Sequence, residues 1–388
     1  MKLAQRMSRL GTETAFEVLA KAQRLEAQGK KIIHLEIGEP DFETPVNIVN
    51  GGSQALLDGY TSYNPSPGYD DLRGAIASEI TKTRGIPANA DNVIVPPGGK
   101  PIMFFVIMAL IEEGDEVLYP NPGFPIYESM INFCGGTAVP MRLHEKKNFN
   151  IDIDDVKNQI TSNTKLMIVN SPNNPCGSIV GDKELEQLSV LAKEHDIIVL
   201  SDEIYIRFLY EGKHKSIASF PEMPSRTIIL DGFSKTYAMT GWRIGYGLFP
   251  EKLVEPISRL VTNSVSCTAS FTQKAAIEAI TGPQDDSVHM VSEFRKRRSI
   301  VVDMLNKIPG IRCANPKGAF YAFPNIEGTG MSSTKFANEL LQEAGVAVLA
   351  GESFGKYGRG FIRISFANST ENLIEAIEKI SNFVESKN

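Results

Sequence analysis

The stretch Thr227-Ile-Ile-Leu-Asp-Gly-Phe-Ser-Lys-Thr-Tyr-Ala-Met-Thr-Gly-Trp-Arg-Ile-Gly-Tyr246 begins as an apolar run and passes into small residues with one lysine and one arginine. A short apolar run bounded by turn residues is typical of a buried strand. Lys235 therefore follows a predicted buried strand by only a few residues. Lysine is seldom buried and is usually a solvated surface charge, so this position invites a chemical explanation.

Three similar apolar runs lie upstream: Glu116-Val-Leu-Tyr119, Lys165-Leu-Met-Ile-Val-Asn170 and Ile197-Ile-Val-Leu-Ser-Asp202. Between these runs, residues 100–112, 123–134 and 182–195 are each long enough for a crossover helix. The alternation predicts an α/β fold with a mostly parallel central sheet flanked by helices. In such sheets, functional residues cluster at the carboxyl ends of the strands.

The pattern changes from about Gln284, where a long charged helix runs through Arg295-Lys-Arg-Arg298. Short strands at 318–324 and 360–367 and a closing helix from Thr370 follow, which predicts a smaller α+β domain. The expected division is an N-terminal arm with part of the small domain (1–45), a large domain (46–283) and the small C-terminal domain (284–388).

The composition excludes several classes of function. The chain has 388 residues, 42% of them hydrophobic, and a formal charge of −6 without long runs of one sign, so nucleic-acid binding is not expected. The four cysteines are scattered, and the apolar run 102–111 is too short to span a membrane. We expect a cytoplasmic protein that acts on small molecules and does not bind membranes.

Lys235 and Asp202 form a chemically meaningful pair. A lysine at the end of a buried strand can be desolvated, which lowers its pKa and lets the amine form a Schiff base with a carbonyl cofactor. Asp202 also ends an apolar strand; it is either a helix cap or the partner of the pyridinium nitrogen of pyridoxal 5'-phosphate (PLP). Tyr205 could then donate a hydrogen bond to the phenolate oxygen of the ring.

A third strand leads into Ser171-Pro-Asn-Asn-Pro-Cys-Gly177, which alone indicates only a loop. Its position at a strand end makes Asn174 a candidate donor to the same phenolate oxygen.

A phosphate site is indicated by Pro97-Gly-Gly-Lys100, which precedes a predicted helix. The nucleoside-triphosphate motif is excluded, because Ile94 replaces its first glycine and Pro101 its magnesium-binding hydroxyl residue. Ser234 and Arg243 could supply further phosphate contacts, since arginine binds anions through two parallel hydrogen bonds.

Arg363 lies inside the apolar run Phe361-Ile-Arg-Ile364. Burying an arginine without an anionic partner costs free energy, so Arg363 either pairs with a structural carboxylate or binds a substrate carboxylate. The five histidines show no metal-ligand or catalytic-triad spacing, and no metal is expected.

Together these segments closely resemble the class I/II aminotransferases of PLP fold type I, in the branch that includes bacterial and archaeal aspartate aminotransferases. The resemblance covers nearly the whole chain. It rests on Ile37-Gly-Glu-Pro-Asp-Phe42, Tyr63, Pro67-Gly68, Leu72-Arg73, Gly98-Gly-Lys100, Asn173-Asn-Pro175, residues 201–205, Ser234-Lys235, Met239-Thr-Gly-Trp-Arg-Ile-Gly-Tyr246, Gly318-Ala-Phe-Tyr321 and Phe361-Ile-Arg-Ile-Ser365.

The resemblance implies a PLP-binding large domain and a homodimer with composite active sites. It implies the following roles: Lys235 as Schiff-base lysine, Asp202 on the pyridinium, Tyr205 and Asn174 on the phenolate oxygen, Phe124 stacked on the ring, Gly99, Lys100, Ser234 and Arg243 around the phosphate, Tyr63 from the neighbouring subunit, and Gly38, Asn174 and Arg363 at the substrate. Cys176, Pro101 and Phe124 depart from the residues usual in the family, where Thr, Gln or Ala, and Trp or Tyr are more common.

The implied reaction is a ping-pong transfer of an amino group from an α-amino acid to a 2-oxo acid. The same fold also serves β-lyases, 1-aminocyclopropane-1-carboxylate synthases and amino-acid oxidases, so the reaction type stays open. A non-enzymatic amino-acid sensor would not need the full set of charged residues. The donor also stays open between an aspartate/glutamate and an alanine type, because Lys100 could reach a distal carboxylate, serve the phosphate or cap a helix.

Overall fold

The computed structural model describes residues 1–387. Its strands are β1 Ile33–His34, β2 Val93–Ile94, β3 Glu116–Asn121, β4 Thr137–His144, β5 Asn150–Ile151, β6 Thr164–Asn170, β7 Ile198–Asp202, β8 Thr227–Gly232, β9 Gly245–Leu248, β10 Tyr321–Ala322, β11 Val346–Ala347, β12 Leu349–Ala350 and β13 Ile362–Ser365. Its α-helices are α1 Thr14–Glu26, α2 Val46–Leu57, α3 Asp70–Arg84, α4 Lys100–Leu110, α5 Ile126–Cys134, α6 Ile153–Gln159, α7 Asp182–Glu194, α8 Phe233–Thr236, α9 Glu251–Ser264, α10 Ser270–Thr281, α11 Asp285–Leu305, α12 Ser333–Glu339 and α13 Thr370–Lys387.

The central sheet has eight strands in the order β2-β9-β8-β7-β6-β3-β4-β5. The pairs β4–β3, β3–β6, β6–β7 and β7–β8 are parallel, whereas β2–β9, β9–β8 and β4–β5 are antiparallel. The predicted mostly parallel α/β sheet is therefore confirmed, with antiparallel strands at its two edges.

Both faces of the sheet are covered by helices, which explains why its strands read as unbroken apolar runs. Successive side chains of a strand point to opposite faces. Ile168 of β6 packs in a core with residues of α4, α5 and α9, while its neighbours Met167 and Val169 pack with residues of α7.

A second core is built by α11, α13 and the short strands β10, β12 and β13. Phe294 of α11 stacks on Phe320 with ring centroids 5.2 Å apart, and β1 joins this region by pairing in parallel with β11. The predicted strands at 318–324 and 360–367 shorten to two and four paired residues. The domain boundaries at 45 and 283 remain predictions, although the pairing of β1 with β11 agrees with residues 1–45 contributing to the smaller domain.

Within residues 1–387, no helix combines the length and the apolar character needed to cross a bilayer.

Strands β6, β7 and β8 end side by side, which brings Asn170, Asp202 and Gly232 to one edge of the sheet. Directly behind this edge, the buried Arg84 donates from Nε to Glu203 at 2.9 Å and from Nη2 to Asp231. Tyr246 donates a further hydrogen bond to Asp231 at 2.8 Å. This closed cluster ties α3 to the ends of β7 and β8.

The substitution Arg84→Gln is expected to lower the free energy of unfolding by about 3 kcal/mol, because it leaves two buried carboxylates without their cation. Denaturant unfolding of the two variants measures the difference. Arg259→Gln is the matched control: Arg259 pairs with Glu255 on an exposed helix face, so its loss should change the free energy by less than about 1 kcal/mol. Equal losses in the two variants would contradict the structural role of the cluster.

Candidate active site

A cavity of about 580 Å³ opens at the carboxyl edge of β6, β7 and β8. Eleven of the twelve residues expected at the site line it: Gly38, Gly99, Lys100, Phe124, Asn174, Asp202, Tyr205, Ser234, Lys235, Arg243 and Arg363. Tyr63 does not, and its side chain is 89% exposed. The cavity is therefore where the chain gathers the residues that sequence reasoning selected.

Lys235 lies in the one-turn helix α8, directly after β8. Its Nζ donates a hydrogen bond of 2.6 Å to the carbonyl oxygen of Gly38. Burial lowers the pKa of Lys235 to about 8, and the nearby Arg363 and Lys100 act in the same direction against the carboxylates of Glu39 and Glu13. About a tenth of the amine is therefore neutral and nucleophilic at pH 7, far more than for a solvated lysine of ordinary pKa.

Asp202 is buried at the end of β7, with 5% of its surface exposed. Its carboxylate accepts hydrogen bonds from the hydroxyl of Tyr127 and from the backbone N–H of Ile204. Burial raises the pKa of Asp202 to about 6, because no cation within residues 1–387 forms an ion pair with it. Such a carboxylate is set up to pair with a cationic group of a ligand.

Tyr205 and Asn174 also line the cavity. The hydroxyls of Tyr205 and Tyr321 are 2.7 Å apart and share one hydrogen bond. Burial raises the pKa of Tyr205, so its hydroxyl stays neutral and able to donate. The side-chain oxygen of Asn174 accepts from Arg363 at 3.1 Å, and its backbone N–H is fixed by Asn170 at 3.0 Å.

Arg363 is 4% exposed and carries its charge into the cavity. It donates to Asn174 and to the carbonyl of Glu36, and its guanidinium lies 4.5 Å from the ring centroid of Tyr321. None of the carboxylates of residues 1–387 forms a salt bridge with it, and its Nε has no hydrogen-bond partner. The alternative of a structural carboxylate is therefore not met, and Arg363 retains capacity for an external carboxylate.

An anion cradle lies at the start of α4. Gly98 has a φ of +102°, and a Cβ at this position would collide with the guanidinium of Arg243. A Cβ on Gly245 would lie only 2.5 Å from the backbone nitrogen of Gly99. Arg243 itself donates to the carbonyl of Thr240 at 2.8 Å. Because Gly98 and Gly245 carry no side chain, the backbone N–H groups at the N-terminus of α4 and the guanidinium of Arg243 can lie around the same space.

Lys100 and Phe124 lie next to each other in the cavity lining. The Nζ of Lys100 forms a salt bridge with Glu13 and lies 5.5 Å from the ring centroid of Phe124. Phe124 in turn meets Tyr127 edge to face, with centroids 5.8 Å apart. Lys100 thus points towards the N-terminal arm.

Several cavity residues were not assigned a role from the sequence alone, among them Tyr127, Glu13 and Tyr321. Tyr127 is fully buried, and a buried tyrosine hydroxyl needs a polar partner, but the sequence gives no sign that this partner is Asp202. Glu13 approaches Lys100 from 87 residues away, a contact that only the fold creates. Tyr321 stood in a recognised motif without an assigned function.

Two positions that differ from the family pattern lie away from the chemistry. Cys176 is buried in the core beside α7 and does not line the cavity. Pro101 occupies the first turn of α4, where a missing N–H is tolerated.

The spacing of the histidines predicts no metal site, but one group of side chains lies close enough together to hold a metal ion. Ligand atoms of His144, Asp152 and Asp155 lie within 4.8 Å of one another, although Lys147 already pairs with Asp152. That no metal binds remains a prediction.

The chain matches the family model described as aminotransferase class I and II over residues 30–380. It is 39% identical over 389 residues to an aspartate aminotransferase of Pyrococcus horikoshii, covering 99% of this chain and 98% of the relative. Among solved structures, an alanine aminotransferase from Pyrococcus furiosus superposes with a TM-score of 0.94 at 35% identity, covering 99% of this chain and 100% of that one. The aspartate aminotransferase from Thermus thermophilus with maleate also gives 0.94 at 35% identity, covering 98% and 99%. The chain therefore belongs to the class I and II aminotransferases, enzymes that depend on PLP and transfer an amino group between an amino acid and a 2-oxo acid.

Proposed function

We propose that Lys235 is the lysine that holds PLP and that the other cavity residues act around it. The observation that carries this proposal is the set of charged groups in the cavity that lack opposite charges of their own. Asp202 suits a protonated ring nitrogen, the cradle of Gly98, Gly99 and Arg243 suits a phosphate, and Lys235 offers an amine of lowered pKa to an aldehyde. The residues present thus fit the cofactor of the family.

The remaining predicted residues would contact either the cofactor or the substrate. Phe124 would stack on the ring, and Ser234 would add a hydroxyl to the phosphate. Tyr205 and Asn174 would donate to the ring oxygen, and Gly38 and Arg363 would receive the substrate α-carboxylate. Bound PLP supplies an electron sink for the carbanion that forms at the substrate Cα.

The protein's own groups handle position and protons. Arg363 orients the substrate by binding its carboxylate through two parallel hydrogen bonds. The Nζ of Lys235 takes the proton from the substrate Cα, a role that its pKa of about 8 permits near neutral pH. Asp202, supported by Tyr127, keeps a proton on the ring nitrogen of the cofactor.

The substitution Lys235→Ala is expected to lower transamination by at least about a thousandfold, because it removes the general base and the attachment point together. Steady-state rates with varied donor and acceptor measure this, and the wild type should give parallel lines. Lys183→Ala, on the exposed face of α7, is the control and should retain full activity.

The rival reactions are separated by incubating the wild type with a donor alone. A transaminase stops after one turnover per site, whereas a lyase or an oxidase continues to release product. Continued release without a 2-oxo acid would contradict the proposal.

We further propose a homodimer in which Tyr63 reaches the partner's phosphate site. The support is its surroundings: Tyr63 is 89% exposed, and α2 next to it exposes apolar side chains, including Val46 at 70% and Leu57 at 81%. Exposed apolar surface of this kind is typical of an interface between subunits. The expected cytoplasmic location remains a prediction.

Mixing the inactive variants Tyr63→Ala and Lys235→Ala tests the composite site. Random reassociation makes half of the dimers mixed, and each mixed dimer then carries one intact site, so activity should recover to about a quarter of the wild-type value. If Tyr63 acts within its own subunit, no mixed dimer has an intact site and no activity returns. Each variant mixed with itself is the control.

A further inference from the structure

The cavity contains a cation, Lys100, to which the proposed function gives no contact with the cofactor or the substrate α-carboxylate. Arg363 is assigned to the α-carboxylate and Arg243 to the phosphate, which leaves Lys100, placed at the phosphate by the resemblance alone, available to the substrate side chain. If Lys100 were unpaired, it would attract a second carboxylate and favour dicarboxylic amino acids. In the structure, however, its Nζ is paired with the carboxylate of Glu13.

Glu13 is positioned for this contact rather than for a local one. It is the N-cap residue of α1, but its side chain makes no capping hydrogen bond. Its carboxylate instead crosses to Lys100 and is 23% exposed, while Lys100 is 43% exposed. A partly buried pair of this kind is screened less by salt than a pair in open solvent.

A second acidic residue adds to the effect. Glu39 lines the cavity and accepts a hydrogen bond from the hydroxyl of Thr240. Glu13 and Glu39 both line the cavity that contains Lys235, and both raise the pKa of its amine against the effect of burial. Lys100 is thus accompanied in the cavity lining by two carboxylates, Glu13 and Glu39.

The rest of this region is apolar. Phe16 and Phe124 flank Lys100, with their ring centroids 5.7 Å and 5.5 Å from Nζ, and Ala15 and Ile37 complete the lining. A carboxylate placed here would meet Glu13 and would have to displace it from Lys100. A hydrocarbon side chain would instead bury apolar surface against the two rings.

We propose that Glu13 determines specificity by neutralising Lys100, so that this enzyme uses α-amino acids with neutral, apolar side chains in preference to aspartate and glutamate. The proposal rests on the aminotransferase function and on Arg363 binding the α-carboxylate. Since the 2-oxo acid occupies the same site in the second half of the reaction, neutral 2-oxo acids should also be preferred to 2-oxoglutarate.

The holoenzyme tests this with donors of each class. The wild type should show kcat/KM for leucine, methionine or phenylalanine at least about tenfold above that for aspartate. Glu13→Gln should raise kcat/KM for aspartate at least about tenfold, mainly through KM, because it frees Lys100 while keeping a similar shape. Glu13→Asp should retain the wild-type preference.

Glu17→Gln is the matched control, since Glu17 lies in the first turn of the same helix, is exposed and does not line the cavity. It should leave all donors unchanged. An aspartate preference in the wild type, an unchanged preference in Glu13→Gln, or a tenfold preference for arginine or lysine would overturn the proposal.

A binding measurement separates recognition from catalysis. Succinate and butyrate both have four carbons and one carboxylate for Arg363, but only succinate carries a second. Calorimetric titration of the wild-type holoenzyme should show butyrate bound at least as tightly as succinate, and Glu13→Gln should gain at least about tenfold in succinate affinity alone. Tighter succinate binding in the wild type would overturn the proposal.

Failure of the specificity proposal differs from failure of the proposed function. If aspartate converts the bound cofactor faster than neutral donors, Glu13 does not set the preference although the enzyme is still a transaminase. If no amino acid converts the cofactor, the proposed function itself is wrong.

Discussion

Charged groups buried without opposite charges of their own dominate the carboxyl edge of the central sheet. Asp202, Arg363 and the amine of Lys235 all lose hydration there, and the fold supplies mainly neutral hydrogen bonds in return. Desolvation of a charged group without a counter-charge costs free energy. The groups stay buried because packing of the neighbouring residues fixes each of them in place. A cofactor with an aldehyde, a cationic ring nitrogen and a phosphate, together with a substrate carboxylate at Arg363, would restore the balance of charge at these positions.

A contrasting cluster lies a few residues behind that edge. Arg84 pairs with the carboxylates of Glu203 and Asp231, and His214 lies 3.2 Å from Glu203, so each charged group of this cluster has an oppositely charged partner without a ligand. Glu203 directly follows Asp202, the last residue of β7. Two adjacent residues at one strand end are therefore in opposite electrostatic situations. The Arg84 cluster fixes the strand ends, and the charged groups beside it that lack a salt bridge remain able to bind a ligand.

Much of this arrangement follows from local sequence. Lys235 and Asp202 could be predicted because each follows an apolar strand, and parallel strands place their ends at one edge. Arg363 could be predicted because an arginine inside an apolar strand needs an anionic partner. Tyr127 and Glu13 could not, since their partners lie 75 and 87 residues away and no periodic pattern encodes which side chains meet across the cavity. The short lengths of β10 and β13 were also not predicted, because an apolar run does not show how many of its residues pair with a neighbouring strand.

The central claim is that Lys235 is the lysine to which the cofactor attaches covalently. Sodium borohydride treatment of the PLP-loaded protein fixes the cofactor to the lysine that carries it, and mass spectrometry of the peptides then locates the label. The structure predicts the label on Lys235, whose amine is desolvated and lines the same cavity as Asp202 and Arg363. A label at comparable yield on Lys100, or on any other lysine in place of Lys235, would contradict the account.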